Sequence, residues 1–195
     1  MYRLVRVMHN RGELHSPWVA HIEVILNQYG MGNVWNSPNN VDSNWLSKAF
    51  KLRASDIFKQ NWHTMVSEMS SCLNYRLFKN EHIYENYLEI LDPVSRISFI
   101  RFRCGNSKIP IVLGRYSNQP IDECLCDLCN SGDVGDEFHY VMKCRFFHAD
   151  RINLIPYYYW RNPSVITFEL LFTTKNKNLL FKLSKFVAII LAKFG

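Results

Sequence analysis

A mainly α fold with a small embedded Cys3His zinc knuckle is what the sequence predicts, on three observations. Helix-starting pairs recur ahead of apolar residues spaced three and four apart, no convincing strand pair appears, and a single cysteine and histidine cluster between Cys124 and Cys144 interrupts the helical pattern.

The elements follow in order. Ser16-Pro17 starts a helix, with serine capping free amides and proline at the first helical position. Trp18, Ile22, Ile25, Leu26 and Tyr29 share one face, and Gly30 ends it. After the loop Asn36-Ser-Pro-Asn-Asn, Ser43 caps a long helix to about Met69. Its apolar stripe slides from Leu46, Phe50, Ala54 and Ile57 to Phe58, Trp62, Met65 and Met69, which predicts a bend or a second packing partner. Asn80 is expected to cap a short helix through Leu91, and Asp92-Pro93 to start another running to about Cys104. Residues 105–123, with Gly, Asn and two prolines, read as an extended loop. Beyond the cysteines, helices are expected over 135–144 and on through Ile155, then an aromatic break at Pro156-Tyr-Tyr-Tyr-Trp160. A short helix near 165–172 and a last one over about 178–194 complete the chain. The expected domains are 1–121, a helical region ending in a basic loop; 122–148, the zinc knuckle; and 149–195, a C-terminal helical region.

Composition limits the function classes. Of 195 residues, 48% are hydrophobic and 21% charged, which describes a folded domain rather than a disordered polyelectrolyte. The longest uninterrupted apolar run, Phe186 to Ala192, is too short to span a bilayer, and the N-terminal apolar stretch is broken at Arg6 with no cleavage site after it. No membrane partner and an intracellular location, cytoplasmic or nuclear, are therefore expected. Charge is unevenly placed. The stretch 93–121 carries Arg96, Arg101, Arg103, Lys108 and Arg115 and no acid, 122–150 is acidic, and 175–195 again holds lysines without an acid. Two acid-free basic tracts flanking an acidic cysteine cluster suggest a surface that meets an anion, with RNA or DNA backbone as the expected partner. Solvated faces of ordinary helices are the plainer alternative.

The chemistry is concentrated in Cys126-Asp-Leu-Cys129 followed by His139 and Cys144. A Cys-x2-Cys turn chelates one ion from one side, a His-x4-Cys pair arrives from a following helix, and soft thiolates with one imidazole choose one structural zinc. Cys124 is a spare that would serve only in a slipped hairpin, and His148 is a weaker candidate. Lys143 and Arg145 stand near enough in sequence to offset the net negative charge of three thiolates on zinc. No nucleotide-deaminase, zinc-protease, phosphate-loop or nucleophile-elbow signature occurs, nor an adjacent aspartate pair, so no catalytic residue is expected.

Several segments carry a resemblance. They are Ser16-Pro-Trp-Val with Gly30-Met-Gly-Asn-Val-Trp35, Cys72-Leu-Asn-Tyr-Arg-Leu-Phe78, Arg101-Phe-Arg103 with 106–115, and most specifically Cys126-Asp-Leu-Cys129 with Gly135-Asp-Glu-Phe-His139-Tyr-Val-Met-Lys-Cys144. Over about residues 15–190 the chain resembles the C-terminal, post-polymerase region of non-LTR (LINE-like, jockey-like) retrotransposon reverse transcriptases. The resemblance implies zinc on Cys126, Cys129, His139 and Cys144, and backbone contacts from Arg101, Arg103, Lys108 and Arg115 to template RNA or target DNA. The usual Glu-Cys-Pro ending is replaced by Lys143-Cys144-Arg145, Cys124 is extra, and polymerase and endonuclease domains are missing. The expectation is a fragment without enzyme activity, a zinc-stabilised nucleic-acid-binding module. The alternative is a helical protein-interaction or scaffold module with purely structural zinc, docking a polymerase domain or another protein through the stripe of its last helix.

Overall fold

The computed structural model describes residues 7–12, 17–37, 41–70 and 74–195. Among these the protein is mainly helical with no named strand, and the sole β pairing is an isolated antiparallel bridge between Leu125 and Val134. Among the described residues, no helix is long and apolar enough to cross a membrane. The chain gathers into two compact units, Met1–Trp62 and His63–Gly195.

In the first unit, α1 (Pro17–Gln28) and α2 (Gly32–Asn36) close on a core of Val19, Leu26, Met31, Val34 and Trp35. Ser16, the expected cap, lies outside the described residues. Gly30 ends α1 at φ 70°, with Gly30 N–H donating to Asn27 O and Met31 N–H to Leu26 O, the paired bonds of a Schellman stop. The buried face is set by Val19 and Leu26 and not by Trp18, which is half exposed. Leu26 and, in part, Ile22 keep their expected places on that face, and Val19 takes the place expected for Trp18. The long helix α3 (Ser43–Glu68) is continuous; it is capped by Asp42, whose Oδ1 accepts from Asn44 N–H at 3.0 Å, one residue before the expected Ser43. No residue of α3 is buried, and only Leu46, Ala49 and Phe50 pack partly against the first core.

The second unit is built around α11 (Lys177–Leu191), which lies against α6 (Pro93–Arg103) and α8 (His148–Leu154). Leu179, Leu183, Phe186, Val187 and Ile190 form its inner stripe, all buried, so the stripe expected to dock a partner is spent on the chain's own core. Asn176 caps α11 by accepting from Leu179 N–H at 3.1 Å. Asp92 caps α6, accepting from Val94 and Ser95 N–H at 3.0 and 3.1 Å with Pro93 at the first position, as the sequence predicts. Next to α6, α10 (Val165–Phe172) starts in a Ser164/Thr167 capping box and brings Phe172 onto three rings: Phe78 of α4 (Tyr75–Phe78) at 4.7 Å, and Phe99 and Phe102 at 5.6 and 6.0 Å. Ring stacking of this kind adds about 0.5–1.5 kcal/mol per pair beyond the area buried.

Three expected elements differ. Residues 80–91 form a loop with only one helical turn, α5 (Tyr87–Ile90), held by side chains instead of a helix: Lys79 donates to Ile83 O and pairs with Glu85 at 3.4 Å. Residues 105–123 are not an extended loop, since α7 (Pro110–Tyr116) lies within them and buries Ile111, Val112 and Gly114. Proline at its first position and the packing of Ile109 and Val112 make this turn helical, a signal too short to show as periodicity. The aromatic break is likewise a helical turn, α9 (Tyr157–Trp160), with Tyr157 and Tyr158 exposed and Tyr159 and Trp160 packed on the core.

The cysteine-bearing segment belongs to this second core. Cys124, Cys126, Tyr140, Val141, Met142, Cys144 and Phe147 are buried in one cluster with Phe99, Ile109 and Phe186.

Candidate metal centre and basic groove

The first two ligand residues sit on a tight turn closed by the Leu125 and Val134 bridge: Cys126 N–H donates to Asp133 O at 2.9 Å and Gly135 N–H to Cys124 O at 2.8 Å. The turn needs left-handed backbone, which Asn130 (φ 50°) and Gly132 (φ 73°) supply. The second pair comes from the helical segment after Asp136, whose Oδ1 caps it by accepting from His139 N–H at 2.6 Å. Residues five apart on an ordinary α-helix point about 140° away from each other. Here His139–Lys143 winds as a wider π turn, and Cys144 N–H bonds back to His139 O at 2.7 Å. Both side chains then face the first pair. Single π turns of this sort cluster at functional sites.

The four donors converge. Cys126 Sγ lies 3.5 Å from Cys129 Sγ and 3.9 Å from Cys144 Sγ, Cys129 Sγ lies 3.3 Å from His139 Nε2, and all four ligand atoms fall within 4.8 Å of one another. Tetrahedral zinc with bonds of about 2.3 Å to sulfur and 2.0–2.1 Å to nitrogen has edges of about 3.8 Å and 3.6 Å. The spacing therefore suits one metal ion. On the far side of the imidazole, Nδ1 lies 3.4 Å from Asp133 Oδ2 and has no aligned hydrogen bond, so the carboxylate sits where a metal-bound histidine takes its outer partner.

The electrostatics are those of a buried thiol site. Burial pushes the Cys144 thiol up to about 12. At Cys129 burial acts upward most strongly of any single cause, but hydrogen bonds with Ser131, Cys126 and Cys144 together outweigh it and hold the thiol below its ordinary value. Burial lowers His139, against the opposing pull of Asp133. Lys143 lies over the Phe138 ring and acts on His139 from there, and Arg145 is exposed, but the cation buried against the site is neither. It is Arg151 of α8, buried, with Nε donating to Val141 O at 2.6 Å and Nη2 to Tyr140 O and Cys144 O at 3.0 and 2.8 Å. These are carbonyls that the π segment leaves open, so one side chain both satisfies the backbone and supplies positive charge beside the cysteine sulfurs. Nothing in the ligand spacing signals Arg151, since it acts from the next helix.

Cys124 stands apart from the four. Its Sγ donates to Pro120 O at 3.3 Å and packs on Gly114, where an added Cβ would lie 2.2 Å from the sulfur. The hairpin is not slipped. His148 is exposed and meets the Trp160 ring edge-on. Cys72 lies outside the described residues.

The five basic candidates separate sharply. Arg101 and Lys108 are exposed and line a groove of about 560 Å³ together with Ser98, Asn106 and Tyr116, and no acidic side chain lines it. Tyr116 is 80% exposed. Arg103 is a correction to the surface set: 1% exposed, it lies over the Tyr87 ring at 4.8 Å, with Nη2 2.7 Å from Glu85 Oε1 but out of hydrogen-bond alignment. Arg96 is half-buried and donates to Leu91 O at 2.8 Å, away from the groove. Arg115 donates to Ser70 O and Gly105 O at 2.8 and 3.0 Å.

Compared with known proteins, the chain matches no family model, no curated protein and no solved structure.

Proposed function

We propose that this protein is a non-catalytic nucleic-acid-binding module stapled by one structural zinc, of the kind found after the polymerase in non-LTR retrotransposon reverse transcriptases. The observation that carries the reading is the acid-free groove, where Arg101, Lys108, Asn106 and Ser98 gather beside a Tyr116 ring left almost wholly in solvent. Cations there neutralise phosphates, the amide and hydroxyl groups hold the backbone, and the ring offers a stacking face to an unpaired base.

Zinc is the ion that three thiolates and an imidazole select, and four protein ligands leave no position for water or substrate. The metal's task is then to hold the knuckle against α7 and α8. Thiolate ligands of this type belong to a reducing compartment, which supports an intracellular location.

The test is zinc per protein under reducing conditions, with binding to single-stranded RNA followed across a salt series. One equivalent of zinc and affinity falling steeply with salt is the expected result. Arg101→Ala with Lys108→Ala removes two phosphate contacts and should reduce the slope of log K against log salt by about 1.4, with zinc unchanged. An unaltered slope removes the groove from the interface.

A second reading, a protein-docking helical module, is favoured by α3, along which Trp45, Leu52 and Met65 are all more than half exposed. Binding that ignores salt but fails when these residues become polar would select it.

A further inference from the structure

A second cavity, of about 170 Å³, opens on the other side of α7 among Asn74, Ile111, Arg115, Ile121, Asp136 and Glu137. It is smaller than the roughly 300 Å³ and upward of a drug-sized site, and its scale is that of a single ring system. Two isoleucines supply apolar walls. The Arg115 guanidinium, held by Ser70 O and Gly105 O, is a fixed planar group at the rim, and planar guanidinium groups stack on aromatic faces. The polar end is built, not incidental: Glu137 is 5% exposed, and Asn74 Nδ2 donates to its Oε2 at 2.7 Å.

We propose that this cavity takes one unpaired nucleobase bearing an exocyclic amino group, read by the Glu137 carboxylate. The inference rests on the nucleic-acid reading above and names what that interface reads. Continuity supplies the argument for a base over another small ring: Arg115 lines the cavity and the next residue, Tyr116, lines the basic groove, so α7 alone separates a phosphate track from a base-sized hole. An ionised carboxylate only accepts hydrogen bonds, and in that form it receives the amino donors of cytosine, adenine or guanine. Uracil offers no amino group, only an N3–H flanked by two carbonyl oxygens that a carboxylate repels, and is disfavoured. Extruded bases are held in this way elsewhere, by apolar walls and by hydrogen bonds to the pairing edge.

The experiment compares decauridylate with the same strand carrying one central cytidine or guanosine, by fluorescence anisotropy at two salt concentrations on the zinc-loaded chain. About tenfold tighter binding of the substituted strands is expected. Glu137→Gln should bring all three strands to the decauridylate value, and so should Ile121→Trp, which fills the cavity from an exposed wall position and does not touch the buried carboxylate. Equal affinity for the three strands with normal salt dependence overturns the base pocket and leaves the groove standing, as does a preference that survives both variants. Failure to bind any of the strands overturns the nucleic-acid reading and the pocket with it.

Discussion

Arg101 and Arg103 are two residues apart, and on α6 that separation is about 200° of rotation. One guanidinium therefore reaches the groove and the other enters the core, among Tyr87, Phe78 and Phe99 at 4.8, 5.4 and 5.7 Å. The two substitutions should behave differently. Arg103→Ala opens a void among the rings and leaves Glu85 to Lys79 alone, and should cost about 2–3 kcal/mol in urea unfolding, less than the loss of a sole buried partner. Arg101→Ala should stay within about 0.5 kcal/mol of the parent and act on RNA binding alone. Charge counting along the sequence treats them alike, because burial depends on which neighbours the helix meets.

At the scale of elements, capping signals are the most readable part of the chain. Asp92-Pro93 starts α6 where expected, and its hydrogen bonds from Ser95 and Val94 hold the Asp92 carboxyl below its ordinary value. A depressed carboxyl contributes stability above its unfolded value and loses it as pH falls through the folded one. The start of α6 should accordingly fray as pH drops from about 5 toward 2, measured as amide exchange at 93–97, and Asp92→Asn should flatten that dependence. The elements that the sequence conceals are those made by contact. Ile111 N–H donates to Gly135 O at 3.3 Å, an added Cβ at Gly135 would lie 2.9 Å from Pro110, and Gly114 admits the Cys124 sulfur, so α7 and the knuckle shape each other. Neither segment states this alone.

For the whole molecule, the metal centre and the helical core are one body: Tyr140 and Val141 are fully buried, and Arg151 ties α8 to the π segment. A metal ion held by the four residues would add its binding free energy to the folding of that unit. Stripping zinc with a chelator, or Cys129→Ser, should lower the melting temperature of His63–Gly195 and open residues 122–148 to hydrogen exchange, while exchange within α1 stays as it was. Equal loosening of both units would mean that the metal supports more than its own core.

Local chemistry made much of this protein legible in one dimension. Caps, prolines and apolar spacing placed α1, α3, α6, α10 and α11 within a few residues of where they lie, and Cys-x2-Cys with His-x4-Cys named the four residues whose donor atoms meet. Such signals are local because a cap or a chelating turn is completed by residues a few positions away. What only the tertiary structure decided was which charges remain in water, which cation faces the thiolates, and that a basic groove and a small cavity lie on opposite sides of α7. Those depend on contacts between segments far apart in the chain, such as Asn74 with Glu137, whose partners no local pattern specifies.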